Sequence, residues 1–75
     1  MDQTLRNLVA KIAETTPDFP PDAHLRDDLN VDSVRALELM FEVEKEFSIR
    51  VPEQRYGEVR TFADLVRVVG SLKGS

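Results

Sequence analysis

The chain has 75 residues, one histidine, no cysteine, and a net charge of −4 from fourteen acidic and ten basic side chains. A chain this short forms one domain with a marginal core. Its composition excludes disulfides, thiolate metal sites, a cysteine nucleophile and any histidine pair, and its acidity argues against nucleic-acid binding, which needs a positive footprint. No apolar run approaches the length of a membrane span. The opening "MDQTLRNLVAK" is mixed polar and apolar, so it does not read as a signal peptide. The expectation is a monomeric cytoplasmic domain over residues 1–75, with no membrane or nucleic-acid partner.

Residues 3–14 read as an amphipathic helix, with Leu5, Leu8, Val9 and Ile12 at i, i+3, i+4 and i+7. Asp2 or Thr4 could cap it, and Pro17 ends it. Residues 16–31, "TPDFPPDAHLRDDLNV", hold three prolines and read as a long loop. Phe19, Leu25 and Leu29 should pin that loop to the core. Residues 33–47 carry the strongest helix pattern, with an apolar stripe assigned to Ala36, Leu37, Met40, Val43 and Phe47. An extended connector follows through Ile49 and Val51. Pro52 then opens a short helix that Gly57 limits. Thr61 and Asp64 form a capping-box pattern ahead of a last helix over residues 62–72, which should fray near Gly70. The sum is an all-α fold: a small four-helix bundle of three main helices and one short one, with a long first loop.

The joint between loop and second helix holds the chemistry. Asp32 can accept from the backbone N–H of residue 34 or 35, which makes Ser33 the first helical residue. Its hydroxyl then lies beside unpaired N–H groups at the positive end of the helix dipole, a place where an anion is stabilised. With no base nearby in sequence, Ser33 suits carrying a phosphodiester better than acting as a nucleophile. Asp-Ser is also a common helix start, and on local geometry alone that plainer reading is the stronger.

The run "DDLNVDSVRALELMFEVEKEFSIRVPE", residues 27–53, resembles the acyl carrier protein family. The matching letters are Asp27, Asp28 and Leu29, then Asp32 and Ser33, then Glu38, Leu39, Glu44, Glu46 and Phe47, then Val51 and Pro52. The Thr61 helix start lies at the family's distance. Four places depart from the pattern. Asn30 stands where glycine is usual, and Asn tolerates the left-handed backbone such a turn needs. Val34 replaces a leucine, Arg35 an acidic or polar residue, and Tyr56–Gly57 the usual short-helix residues. Arg35 and Tyr56 bear on which partners dock.

The resemblance implies that Ser33 carries a 4′-phosphopantetheine arm, installed from coenzyme A by a phosphopantetheinyl transferase. Acyl groups would ride on the arm's thiol as thioesters, passed among acyl-transferring and condensing enzymes of fatty-acid, polyketide or related specialised biosynthesis. The domain itself would catalyse nothing. Asp32, Glu38 and Glu44 would dock on basic partner surfaces. Val34, Arg35 and Leu37 would add contacts, with Leu37 equally suited to the core. Glu42 and Glu46 read as a solvated face. Leu37, Met40, Phe41, Ile49, Phe62 and Leu65 could line a cargo cavity, although plain core packing explains them as well. His24 reads as a loop residue without a special role, and Tyr56 as a surface aromatic. Two alternatives remain: an aminoacyl or peptidyl carrier, which Asp32 disfavours, and a carrier-like interaction module that is never modified.

Overall fold

The structure, a computed structural model, describes residues 1–74. Helix α1 runs Asp2–Ala13, helix α2 Ser33–Phe47 and helix α3 Phe62–Lys73, with a 3₁₀ helix at Glu53–Glu58 before α3. The all-α bundle with a long first loop is therefore the observed architecture. Its short fourth element is 3₁₀ rather than α, and it continues through Gly57 to Glu58.

Both α1 and α2 end in the same way. Glu14 (φ 57°) and Ser48 (φ 54°) adopt the left-handed conformation and turn their N–H groups back onto the carbonyls of Ala10 and Glu44. The expected side-chain cap of α1 does not form: Met1 is the N-cap residue, and Asp2 lies inside the helix. Asp2 instead pairs with Arg6 at 3.5 Å, one turn on. The expected fraying at Gly70 is also not seen. Helix α3 passes through it to Lys73, and the Gly74 N–H closes on the Gly70 carbonyl at 2.9 Å.

The core gathers Leu5 and Val9 of α1, Leu39, Met40 and Val43 of α2, and Phe62, Leu65 and Val69 of α3. This corrects the stripe assigned to α2. Leu39 is fully buried, whereas Leu37 is 43% and Phe41 58% exposed. Helix α2 is apolar on most of its circumference, so spacing alone could not choose the inward face. The positions of α1 and α3 choose it. Val68 of α3 is buried as well.

The first loop is pinned, as its apolar residues foretold, and Phe19, Ala23, Leu25 and Val31 all enter the core. Phe19 meets Phe62 edge to face with ring centroids 5.1 Å apart. Arg6 reaches across from α1, donates to the carbonyls of Pro17 (2.9 Å) and Phe19 (2.5 Å), and lies over both rings. The loop's far half is bonded to the start of α3: Leu25 N–H to the Arg60 carbonyl (2.9 Å) and Phe62 N–H to the Ala23 carbonyl (3.1 Å). These bonds satisfy backbone groups that burial would otherwise leave unpaired.

Candidate functional site

The loop delivers the chain to Ser33 through Asn30, whose φ of 59° is the left-handed turn expected of it. Asp32 is extended and caps α2, its carboxylate accepting from the Arg35 N–H at 2.9 Å. Ser33 is the first helical residue and is exposed. The backbone N–H groups of Ser33 and Val34 precede the first intrahelical bonds and have no acceptor among the described residues. Helix α2 has no acid in its first turn. The hydroxyl therefore stands at a helix N-terminus that is capped on one side and open to an added anion on the other.

Beside Ser33 opens a cleft of about 260 Å³, bounded by the first loop, α2 and the 3₁₀ helix. Its apolar floor includes Leu25, Val31, Ala36, Leu39 and Met40. Its walls hold His24, Arg26, Tyr56 and Arg60. Of the residues named above for a cargo cavity, only Met40 lines this cleft. Phe62 and Leu65 are sealed in the core, while Leu37 and Phe41 face outward.

His24 is more than a bystander. Its ring Nδ1 accepts from the Asp27 backbone N–H (3.2 Å), and its backbone N–H donates to the Asp28 carboxylate (2.8 Å). It also forms an isolated antiparallel bridge with Thr61. A lone histidine in a Pro-rich loop gave no local hint of this, because its partners come from a turn and from the start of α3. Tyr56 is half-buried rather than a plain surface aromatic. Burial, with Glu44 and Glu53 nearby, pushes its hydroxyl pKa above the ordinary value, so it remains a donor at neutral pH.

The family described as "Phosphopantetheine attachment site" matches residues 3–69, most of the fold including the open serine. The chain belongs to the acyl carrier protein family. An acyl carrier protein of Rickettsia bellii (strain RML369-C) is 38% identical over 52 residues, covering 69% of this chain and 60% of that protein. Another, from strain OSU 85-389, is 38% identical over 52 residues, covering 69% of this chain and 64% of that protein. The chain thus spans less than two thirds of the length of these curated relatives. The matched domain is the phosphopantetheine attachment site of acyl carrier proteins, and 4′-phosphopantetheine is its cofactor. The residues present fit that group: an exposed serine hydroxyl, free N–H groups and an apolar cleft adjoin one another.

The residues named for docking divide between two sides of α2. Val34 (67% exposed), Leu37, Glu38 and Phe41 stand at i, i+3, i+4 and i+7 on one outward face. Phe41 was missed there, although its spacing from Val34 and Leu37 could have revealed it. Glu44 is half-buried on another side, where its carboxylate accepts from the Val51 N–H at 2.7 Å and holds the connector. Arg35 turns toward α1 and pairs with Glu14 at 3.7 Å. Glu42 pairs with Lys11 (3.4 Å) and Lys45 (3.9 Å). No helix among the described residues is long and apolar enough to cross a membrane.

Proposed function

We propose that Ser33 is the attachment point of the 4′-phosphopantetheine arm and that the chain is a non-catalytic carrier of acyl thioesters. The observation that carries this is the exposed Ser33 hydroxyl at an N-terminus of α2 left open to an anion, within the family match. The arm supplies the thiol that the cysteine-free chain lacks. In loading, the Ser33 Oγ bonds to the phosphorus that bears pantetheine in coenzyme A. The pyrophosphate P–O bond breaks, the nucleotide half departs, and the hydroxyl proton passes to a base of the transferase. Ser33 offers the oxygen, and the free N–H groups with the α2 dipole stabilise the phosphodiester charge.

The working context is a cytoplasmic monomer serving acyl-transferring and condensing enzymes of fatty-acid, polyketide or related biosynthesis. Partners would meet Asp32, Val34, Leu37, Glu38 and Phe41, an apolar ridge flanked by acids that complements a basic rim around an apolar socket. Glu44 would act there mainly through the connector it holds.

Intact-mass analysis after incubation with coenzyme A and a phosphopantetheinyl transferase tests the reading. One phosphopantetheine on the wild-type chain and none on Ser33→Ala is the expected result. An unchanged wild-type mass, or the same addition on Ser33→Ala, would refute it.

A further inference from the structure

The turn at residues 24–29 is capped in the manner of the helices. At α2 the Asp32 carboxylate accepts from the N–H three residues on, and at α3 the Thr61 hydroxyl does so. At the turn the acceptor is a ring: His24 Nδ1 takes the Asp27 backbone N–H at 3.2 Å. The Asp28 carboxylate returns to the His24 backbone N–H at 2.8 Å, as Asp64 returns to Thr61 at 3.1 Å. The His24 carbonyl accepts from the N–H groups of Asp28 (2.8 Å) and Leu29 (3.2 Å). His24 therefore holds the turn, and its bridge to Thr61, with the bond from the Leu25 N–H to the Arg60 carbonyl, ties the turn to the start of α3. The three caps differ in their response to protons. Near neutral pH a hydroxyl or a carboxylate remains an acceptor, whereas an imidazole accepts only while neutral, and both ring nitrogens donate once it is charged. While Nδ1 accepts, the neutral ring must carry its proton on Nε2.

We infer that His24 is a pH-sensitive cap, closing this turn while neutral and releasing the Asp27 N–H when protonated. A proton on Nδ1 sets donor against donor at that N–H. The Asp27 carboxylate lies 3.7 Å from the same nitrogen and offers the new proton an acceptor. The His24 side chain is 36% exposed, which leaves the ring room to turn from the amide to the carboxylate. Release reaches the seam with α3 through Leu25, and also Val31, whose N–H bonds the Leu25 carbonyl at 2.8 Å two residues before Ser33. On its own turn the ring faces Asp27 and, through the backbone, Asp28. The cleft that His24 lines is also lined by Arg26 of the loop, Asp32 at the start of α2, Tyr56 of the 3₁₀ helix and Arg60 before α3. Asp64 stands behind Arg60 and accepts from its backbone N–H at 3.1 Å. Of these side-chain types only an imidazole, when unperturbed, changes charge between about pH 5 and 8. The inference is independent of what Ser33 carries.

The test is NMR of the isotope-labelled full chain, titrated from about pH 8 to about pH 5, beside His24→Asn and His24→Gln. The Asn side-chain oxygen takes the place of Nδ1 and does not titrate. The Gln oxygen falls where Nε2 stands, away from the Asp27 N–H. At the upper pH the wild-type ring should carry its proton on Nε2. On acidification the Asp27 amide proton should move upfield with the same midpoint as the ring nitrogens. Hydrogen-exchange protection at Leu25, corrected for the intrinsic rate, should fall about fivefold, the factor for one lost cap. His24→Asn should hold both signals at their upper-pH values throughout, and His24→Gln should show the less protected state at either pH. A neutral ring protonated on Nδ1, an Asp27 amide that ignores the ring's titration, or a His24→Asn variant that follows the wild-type curve would overturn the inference.

Discussion

Helices α2 and α3 start with the same local grammar and end up doing opposite things. Each has an extended cap residue whose side chain accepts from the N–H three residues on: Asp32 from Arg35, and Thr61 from Asp64. At α3 the third helical residue is Asp64, whose carboxylate returns to the N–H groups of Thr61 and Arg60. At α2 the corresponding residue is Arg35, which leans away to Glu14. The first helical residue differs as well, being the exposed Ser33 at α2 and Phe62, 1% exposed, at α3. One start is filled from within by an acid and locked to the core by a ring. The other keeps its positive end vacant and puts a hydroxyl in front of it. Arg35, where the family's pattern has an acidic or polar residue, leaves the third position of α2 without a returning acid.

The sharpest way to break this contrast is at the first helical residues. Phe62→Ala should cost about 3–5 kcal/mol in denaturant unfolding, the range for deleting a buried aromatic, while Ser33→Ala should remain within about 0.5 kcal/mol of wild type. A large cost at Ser33 would mean that the α2 start is structural after all. Next come the caps. Thr61→Ala and Asp32→Ala should each cost about 1 kcal/mol. A double-mutant cycle of Thr61→Ala with Asp64→Asn should show coupling, because both arms of the box serve one turn. Additive losses would mean that the reciprocal box is not a unit.

Exchanging the third residue probes the charge argument directly. Arg35→Glu gives α2 an acid like that of α3 and sacrifices only a surface pair with Glu14. Thermal stability should rise by about 0.3–1 kcal/mol, while the rate of modification by the transferase falls. The two readouts should therefore move in opposite directions, and a faster modification would contradict the picture. The smallest effect is in acid. Hydrogen bonds to the Asp64 carboxylate from Thr61 and Arg60, with Arg67 beside it, hold its pKa below the ordinary value. A carboxyl depressed in the folded state contributes stability that is complete above its unfolded pKa of about 3.9 and is lost as pH falls through the lower folded value. Urea midpoints measured downward from pH 5 should therefore fall less steeply for Asp64→Asn than for wild type.

Much of this contrast was legible in the linear chain. Thr61-x-x-Asp64 announced a closed box, and Asp32–Ser33 announced a capped start with the serine at its edge. Capping reads well because it depends on residues within one turn of each other. The inward face of α2 read poorly. Ala36, Leu37, Leu39, Met40 and Phe41 offer apolar surface around nearly the whole helix, so several stripes fit the period equally well. The roles of His24 and Glu44 were illegible for a related reason: one is fixed partly by a bridge to Thr61, the other by the N–H of a connector residue.

The sequence by itself determined where α2 and α3 begin, that one start is left open to an anion, and that the chain has no thiol of its own. Those properties follow from contacts a few residues long and from composition. Only the tertiary structure decided that Leu39 goes in while Leu37 and Phe41 stay out, and that the first loop closes onto the start of α3. The same closure brings Arg26 and Arg60 to one cleft beside Ser33. Those outcomes depend on which surfaces of separate elements exclude water together, and no local pattern encodes that choice.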